Sequence, residues 1–145
     1  MQRSVTKGLG VFGLLAVFLC GCGSEPYSVA PVSGQVLVDG EPAKGARVSF
    51  EPIGNEDRPN PGPGSFGRTD ETGRYTLKII GADEGAVVGK HRVRISMFEV
   101  KETPNGEMQD VSKEALPARY NANTELEFEV PEDGTEEADF KLESK

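Results

Sequence analysis

Few residues in this 145-residue chain could do chemistry. Its two cysteines, Cys20 and Cys22, stand close together near the N-terminus. A thiol can be acylated, oxidised or bound to a metal, and its surroundings decide which. His91 is the only histidine, so acid–base or metal chemistry near neutral pH would have to rest on it or do without. Its neighbours alternate, which turns it inward with Val93 and Ile95, where a satisfied, half-buried histidine is the expectation. Ser65 is flanked two residues away by Pro63 and Gly67, so the Gly-x-Ser-x-Gly elbow of serine hydrolases is absent. Gly62, Gly64 and Gly67 spell Gly-x-Gly-x-x-Gly, but a proline-rich loop precedes them and a strand pattern follows. Phosphate binding needs the reverse, a strand before and a helix after. Acidic clusters at Glu56-Asp57, Asp70-Glu71 and Glu132–Glu137 lack the spacing of a calcium-binding loop. They read as solvated loops, with a loop-end calcium site left open. No catalytic residue, cofactor or metal site is expected, and the chain is not expected to be an enzyme.

The setting of the cysteines says more. Gly8 to Cys20 is an apolar run of thirteen residues, preceded by Arg3 and Lys7 and by no acid. A basic start, a short apolar stretch and small residues before a cut describe an export signal. The run is too short to span a membrane, which takes about 20 apolar residues. Its end, Leu19-Cys20-Gly21-Cys22, resembles the lipobox of bacterial lipoproteins. That resemblance implies cleavage between Gly21 and Cys22 and a diacylglyceryl group on the Cys22 sulfur, often with a further acyl chain such as palmitate on its new amino group. Cys20 is the alternative, disfavoured because Leu19 is large for the position ahead of the cut. The implied location is lipid-anchored on the extracytoplasmic side of the cell membrane or the outer membrane, with the membrane as partner through Cys22.

Composition bounds the rest. The chain has 16 Lys and Arg against 24 Asp and Glu, a net charge of −8. Losing Arg3 and Lys7 with the leader leaves 14 against 24, or −10. Nucleic acid is excluded as a partner by this balance, because phosphate binding needs clustered cations. Cleavage would leave only Cys22, so the monomer could form no disulfide and must rely on an apolar core. The remaining 124 residues suffice for one such core.

The elements that would position any site are strands. Val36 and Val38; Ala46, Val48 and Phe50; Tyr75, Leu77 and Ile79; His91 to Met97; Leu126, Phe128 and Val130; and Ala138, Phe140 and Leu142 each alternate with polar residues. Phe66 to Thr69 adds a shorter strand. About seven strands, each apolar on one side, predict an all-β antiparallel sandwich. Asp39-Gly40 and Asp70-Glu71-Thr72-Gly73 mark turns. Residues 52–65, with four prolines and three glycines, and the acidic stretch 99–115 are long connections, where binding functions gather.

Five segments resemble the carboxypeptidase regulatory-like, or transthyretin-like, domain family: Val32-Ser33-Gly34-Gln35-Val36; Asp39-Gly40-Glu41-Pro42-Ala43-Lys44-Gly45-Ala46-Arg47-Val48; Thr69-Asp70-Glu71-Thr72-Gly73-Arg74-Tyr75; Gly89-Lys90-His91-Arg92-Val93-Arg94-Ile95; and Leu116-Pro117-Ala118-Arg119-Tyr120-Asn121 with the closing Asp139-Phe140-x-Leu142. The last is similar to a bacterial lipoprotein branch of that family. The resemblance covers nearly all of residues 32–143 and implies a transthyretin-like or Ig-like sandwich, generally non-catalytic. The motifs also have plain structural duties: Asp70 accepts hydrogen bonds from its own turn, and Tyr75 buries its ring with its hydroxyl at a sheet edge.

The expected organisation is a lipoprotein signal peptide (1–21), a lipidated tether (22–31) and a carboxypeptidase regulatory-like sandwich (32–145). The expected role is a structural or protein-binding module at the cell envelope. The alternative is a carbohydrate-binding accessory module, for which Tyr27 and Tyr120 are the aromatic residues to inspect in a chain without tryptophan. Lys90, Arg92 and Arg94 form an outward basic row and Glu125, Glu127 and Glu129 an acidic one. They pair if their strands are neighbours and form separate patches if not.

Overall fold

Alternating sequences of this kind must lay their apolar faces against one another, and the computed structural model shows two sheets doing so. It describes residues 27–81, 84–98, 100–110 and 112–145, with only the backbone of 100–102 and 108–110. The signal segment, the Gly21–Cys22 cleavage point and the lipidation residue Cys22 lie outside the described residues. In chain order the strands are β1 (Val29–Ala30), β2 (Ser33–Val38), β3 (Glu41–Pro42), β4 (Arg47–Pro52), β5 (Ser65–Arg68), β6 (Arg74–Thr76), β7 (Lys78–Ile79), β8 (Ala86–Val87), β9 (Gly89–Ser96), β10 (Val100–Glu102), β11 (Met108–Asp110), β12 (Glu127–Val130) and β13 (Phe140–Leu142). A single 3-10 turn covers Ala118–Tyr120.

One sheet has the order β12-β9-β4-β5-β7, all antiparallel. The second is built on β2, flanked by β13 on one side and by β3 and β6 on the other. The expected all-β sandwich is therefore what the chain forms, and its seven anticipated strands correspond to β2, β4, β5, β6 with β7, β9, β12 and β13. One pairing is not antiparallel. After β12 the chain crosses from the edge of the first sheet to the edge of the second, so β13 enters beside β2 running parallel to it.

A sheet switch also occurs at Leu77. Tyr75 pairs with Gly34 in the second sheet, while Ile79 pairs with Ser65 in the first. Leu77, between them, is fully buried and donates its N–H to Val32 O at 2.9 Å. One continuous alternating run thereby closes a corner of the sandwich.

The core lies between the sheets, with Val36, Val48, Phe50, Leu77, Val93 and Ile95 among its sealed members. Phe50, Phe128 and Phe140 meet as tilted or edge-on rings with centroids 5.6–6.2 Å apart, linking both sheets. Each fully buried large side chain contributes about 1.5–3 kcal/mol against leaving it exposed.

Residues 28–30, at the end of the expected tether, are held by the fold. Val29 and Ala30 pair with Val87 and Ala86, Ser28 O accepts the Val88 N–H at 2.8 Å, and Ala30 is buried. A two-residue strand followed by proline has no alternation to read, so its pairing depends on where residues 84–88 run. The stretch 99–115 includes an antiparallel ribbon, β10 with β11, closed by Thr103 and Glu107.

Candidate functional site

His91 sits on β9 opposite Phe128 of β12 on one side and Pro52 of β4 on the other. Its side chain is fully buried, facing inward as expected, and its ring lies 5.5 Å from that of Phe50. Nδ1 is 2.9 Å from Gly89 O, which makes Nδ1 the protonated nitrogen and leaves Nε2 an acceptor. Nε2 has no hydrogen-bond partner among the described residues. Burial pushes the His91 pKa down, against a smaller upward pull from the Gly89 carbonyl, so the ring is held neutral. A sealed neutral ring cannot meet a substrate. It packs against Phe50 as part of the core.

Ser65 is likewise buried, with its hydroxyl unpartnered among the described residues, and the glycines around it lead into β5 rather than a helix. Among the described residues no three His, Cys, Asp or Glu side chains are grouped as a metal ion requires.

The two charge rows are neighbours. β12 pairs with β9, setting Glu127 opposite Arg92 and Glu129 opposite Lys90. Lys90 Nζ reaches diagonally to Glu127 at 2.7 Å, and this hydrogen bond, with the charge behind it, raises the Lys90 pKa. Arg94 turns the other way, donating to Glu51 of β4 at 2.9 Å and to Asn121 O at 2.9 Å. The basic row is thus largely answered within the sheet, and exposed pairs of this kind contribute little to stability.

The acidic clusters are partly structural. Asp70 Oδ1 accepts from Thr72 N at 2.8 Å, Thr72 Oγ1 at 2.7 Å and Arg74 N at 3.1 Å, which together hold its carboxyl below the usual range. Glu71 pairs with Lys44 at 2.6 Å. The 132–137 cluster borders an open cleft of about 480 Å³ with Pro31 to Ser33 and Thr76.

Two further clefts lie at opposite ends of the sandwich. One, about 640 Å³, is bordered by Ser96, Phe98, Ser112 to Glu114 and Asn121-Ala122. Its polar groups serve the protein itself: Glu114 accepts from Met97 N and Leu116 N at 2.8 and 3.0 Å, and the Asn121 amide donates to the carbonyls of Leu116 and Pro117. The other, about 470 Å³, lies where the 52–61 loop meets Val87 to Lys90. Asp57, Arg58, Lys90 and Glu129 put both signs of charge around it. Of the clefts, this one offers a partner the most charged groups, and it adjoins the point where the N-terminal segment enters the fold.

The two aromatic candidates have structural work. Tyr120 is half-buried against the core, its ring carries the Arg119 guanidinium at 4.7 Å, and its hydroxyl accepts the Glu143 N–H at 3.2 Å. Tyr27 lies against Gly62, so closely that a methyl group there would stand 2.9 Å from the ring, and 3.0 Å from Val87. Tyr75 Oη donates to Ala138 O at 2.6 Å, as its motif anticipates; burial, then the Asp139 charge, raises its pKa well above that of a free phenol.

Thr69 was not singled out by sequence. Its buried hydroxyl accepts from Ala46 N at 2.7 Å and donates to Ala43 O, tying two segments of backbone together. Its place at the start of the Thr-Asp turn is the signal that could have found it.

No protein-family model matches this sequence, and no curated protein matches it. Among solved structures, a 9R-lipoxygenase from Cyanothece PCC8801 is similar at 12% identity with a TM-score of 0.38, over 80% of this chain and 16% of that one. A likeness so slight carries no argument about fold or function.

Proposed function

We propose that the protein is a lipid-anchored, extracytoplasmic, non-catalytic β-sandwich, serving as a structural or protein-binding module at the cell envelope. The observation that carries this reading is the Leu19-Cys20-Gly21-Cys22 sequence behind a basic and then apolar start. Its lipobox character makes Cys22 the lipidated residue and Gly21 the last residue of the leader. Two or three acyl chains hold a domain stably, where one holds it marginally. The sandwich is read as carboxypeptidase regulatory-like on its five motifs. In support, the Asp70 turn and the Tyr75 hydroxyl do the structural jobs those motifs need. The absence of catalysis rests on His91, which is sealed beneath Phe50 and β12, away from solvent.

Expression of the full chain in a bacterium, with the mass of the N-terminal peptide and detergent partitioning as readouts, tests the anchor. The wild type should carry a diacylglyceryl mass on Cys22 and enter the detergent phase. Cys22→Ser should lose both. Loss in Cys20→Ser instead would move the anchor to the other thiol, and an unmodified, water-soluble product would refute the reading.

A further inference from the structure

The structure shows how little chain separates the anchor from the fold. Five peptide steps join Cys22 to Tyr27, and fully extended they reach at most roughly 18 Å. From Tyr27 onward the chain is fastened. The Tyr27 ring lies against Gly62, Ser28 O accepts the Val88 N–H, and β1 lies across the end of the sandwich beside β8. Five residues, 22–26, then form the leash between anchor and fold, half of the ten in 22–31.

The end of the sandwich at which this leash arrives is also distinctive. Only three large hydrophobic side chains among the described residues are exposed: Ile80 at 81%, Val29 at 41% and Phe66 at 36%. Val29 is in β1. Ile80 follows Ile79, whose partner Ser65 begins β5 at this same end. Ile80 and Val29 are thus brought to one end by opposite routes, one from the edge of the first sheet and one from the entering chain. Phe66 lies on the outer face of that sheet, with Arg47 over its ring at 5.7 Å. The turn around Asp70 and Glu71 occupies the opposite end, beyond Arg68, which pairs with the first residue of β4.

We propose that the end of the sandwich carrying Tyr27, Val29 and Ile80 rests against the bilayer that holds Cys22, and that the Asp70 end points away from it. This rests on the lipid anchor proposed above. The leash holds the domain within a short distance of the surface, and Ile80 and Val29 are the apolar groups placed to meet it. The contact is not electrostatic. Around this end Asp57, Glu84, Glu129 and Asp133 nearly balance Lys78, Arg58 and Lys90, so no basic patch draws it to an anionic surface. The mixed-charge cleft bordered by Arg58 and Lys90 then opens beside the membrane, while the cleft bordered by Ser96 and Asn121 faces outward.

The chain has no tryptophan, so single tryptophans report position directly. The test uses full-length Ile80→Trp and Glu71→Trp proteins, purified with whatever anchor the host adds and reconstituted in neutral phosphatidylcholine vesicles brominated near the headgroup. Both sites are exposed, and matching thermal melts confirm that each variant folds. Ile80→Trp should show blue-shifted emission and bromine quenching, and Glu71→Trp neither. If the N-terminal peptide carries the lipid mass but the two tryptophans are quenched alike, the orientation is wrong and the anchor stands. If no lipid mass is found, the anchor reading falls and the orientation falls with it.

Discussion

The two ends of the sandwich are built by different means. At the Asp70 end, short turns are locked by specific groups. Asp70 binds three donors of its own turn, Asp70 N donates to Arg74 O at 2.9 Å, and the Thr69 hydroxyl bridges Ala43 and Ala46. At the Tyr27 end a long proline- and glycine-rich connection is pinned at a few places. Ile53 N donates to Lys90 O at 2.8 Å, and Asn55 and Arg58 close a small turn on each other. The first end is a frame whose polar groups are committed to backbone. The second holds the entering chain, exposed apolar groups and the mixed-charge cleft. Stability should be concentrated at the first and tolerance at the second, which is where a binding surface can vary without unfolding its scaffold.

The largest effect should come from Thr69→Val. The variant keeps the shape and removes the hydroxyl, leaving Ala46 N and Ala43 O without this buried partner. Unsatisfied buried groups cost about 1–3 kcal/mol each, so a loss of about 2–3 kcal/mol in urea unfolding is expected. A loss below about 0.5 kcal/mol, the scale of an ordinary surface change, would break the picture of a hydrogen-bonded frame.

Gly62→Ala should come next, as a sensitive point of the looser end. A Cβ there would meet the Tyr27 ring at 2.9 Å and Val87 at 3.0 Å, and the residue has φ +113°. Backbone strain of about 1–2 kcal/mol is expected, plus displacement of Tyr27. In the double variant with Tyr27→Ala the steric part should be relieved and the backbone part remain. Additive losses in that cycle would mean that the ring is not seated on Gly62.

Acid should separate the two ends. His91 lies beneath the Tyr27 end, and its folded pKa is lowered below the usual 6.5 by burial. The unfolded chain then binds more protons between the two values, so stability is full above pH 6.5 and falls as pH drops below it. The slope is at most about 1.4 kcal/mol per pH unit. Asp70 acts lower down: its folded pKa lies below 3.8, so its contribution is present above that value and is lost as pH falls through the folded one. His91→Phe should flatten the unfolding profile between pH 6.5 and 5 while leaving the steep loss below pH 4. An unchanged slope between pH 6.5 and 5 would show that His91 does not remain neutral in the fold.

The frame was more legible in sequence than the site, for a physical reason. Alternation betrays a strand with one buried face, so Val93, Ile95, Phe128 and Phe140 could be placed inward from residue types alone. Asp70 and Tyr75 could be assigned because their bonding is local or set by a hairpin. The pairing of Lys90 with Glu127 was visible only as one of two outcomes, since it depends on β12 lying beside β9, a fact of topology. Strand β1, the seat of Tyr27 and the 52–61 cleft have no periodic signature at all. They arise where three separate stretches of chain meet, and no one stretch encodes that meeting.

The smallest effect should come from the most polar part of the looser end. Glu56, Asp57 and Arg58 lie exposed in the 52–64 connection, and the Arg58 backbone closes only the small turn with Asn55. Replacing the three by Ser-Gly-Ser keeps the loop length, and with it the entropy of closing it. Exposed substitutions away from caps and buried bonds usually stay within about ±0.5 kcal/mol. The melting temperature should therefore barely move, although the charge bordering the cleft changes. A loss as large as that of Thr69→Val would mean that the loop belongs to the frame. An unmoved melt combined with altered retention of an envelope partner would place binding at this end, on a scaffold whose stability is held elsewhere.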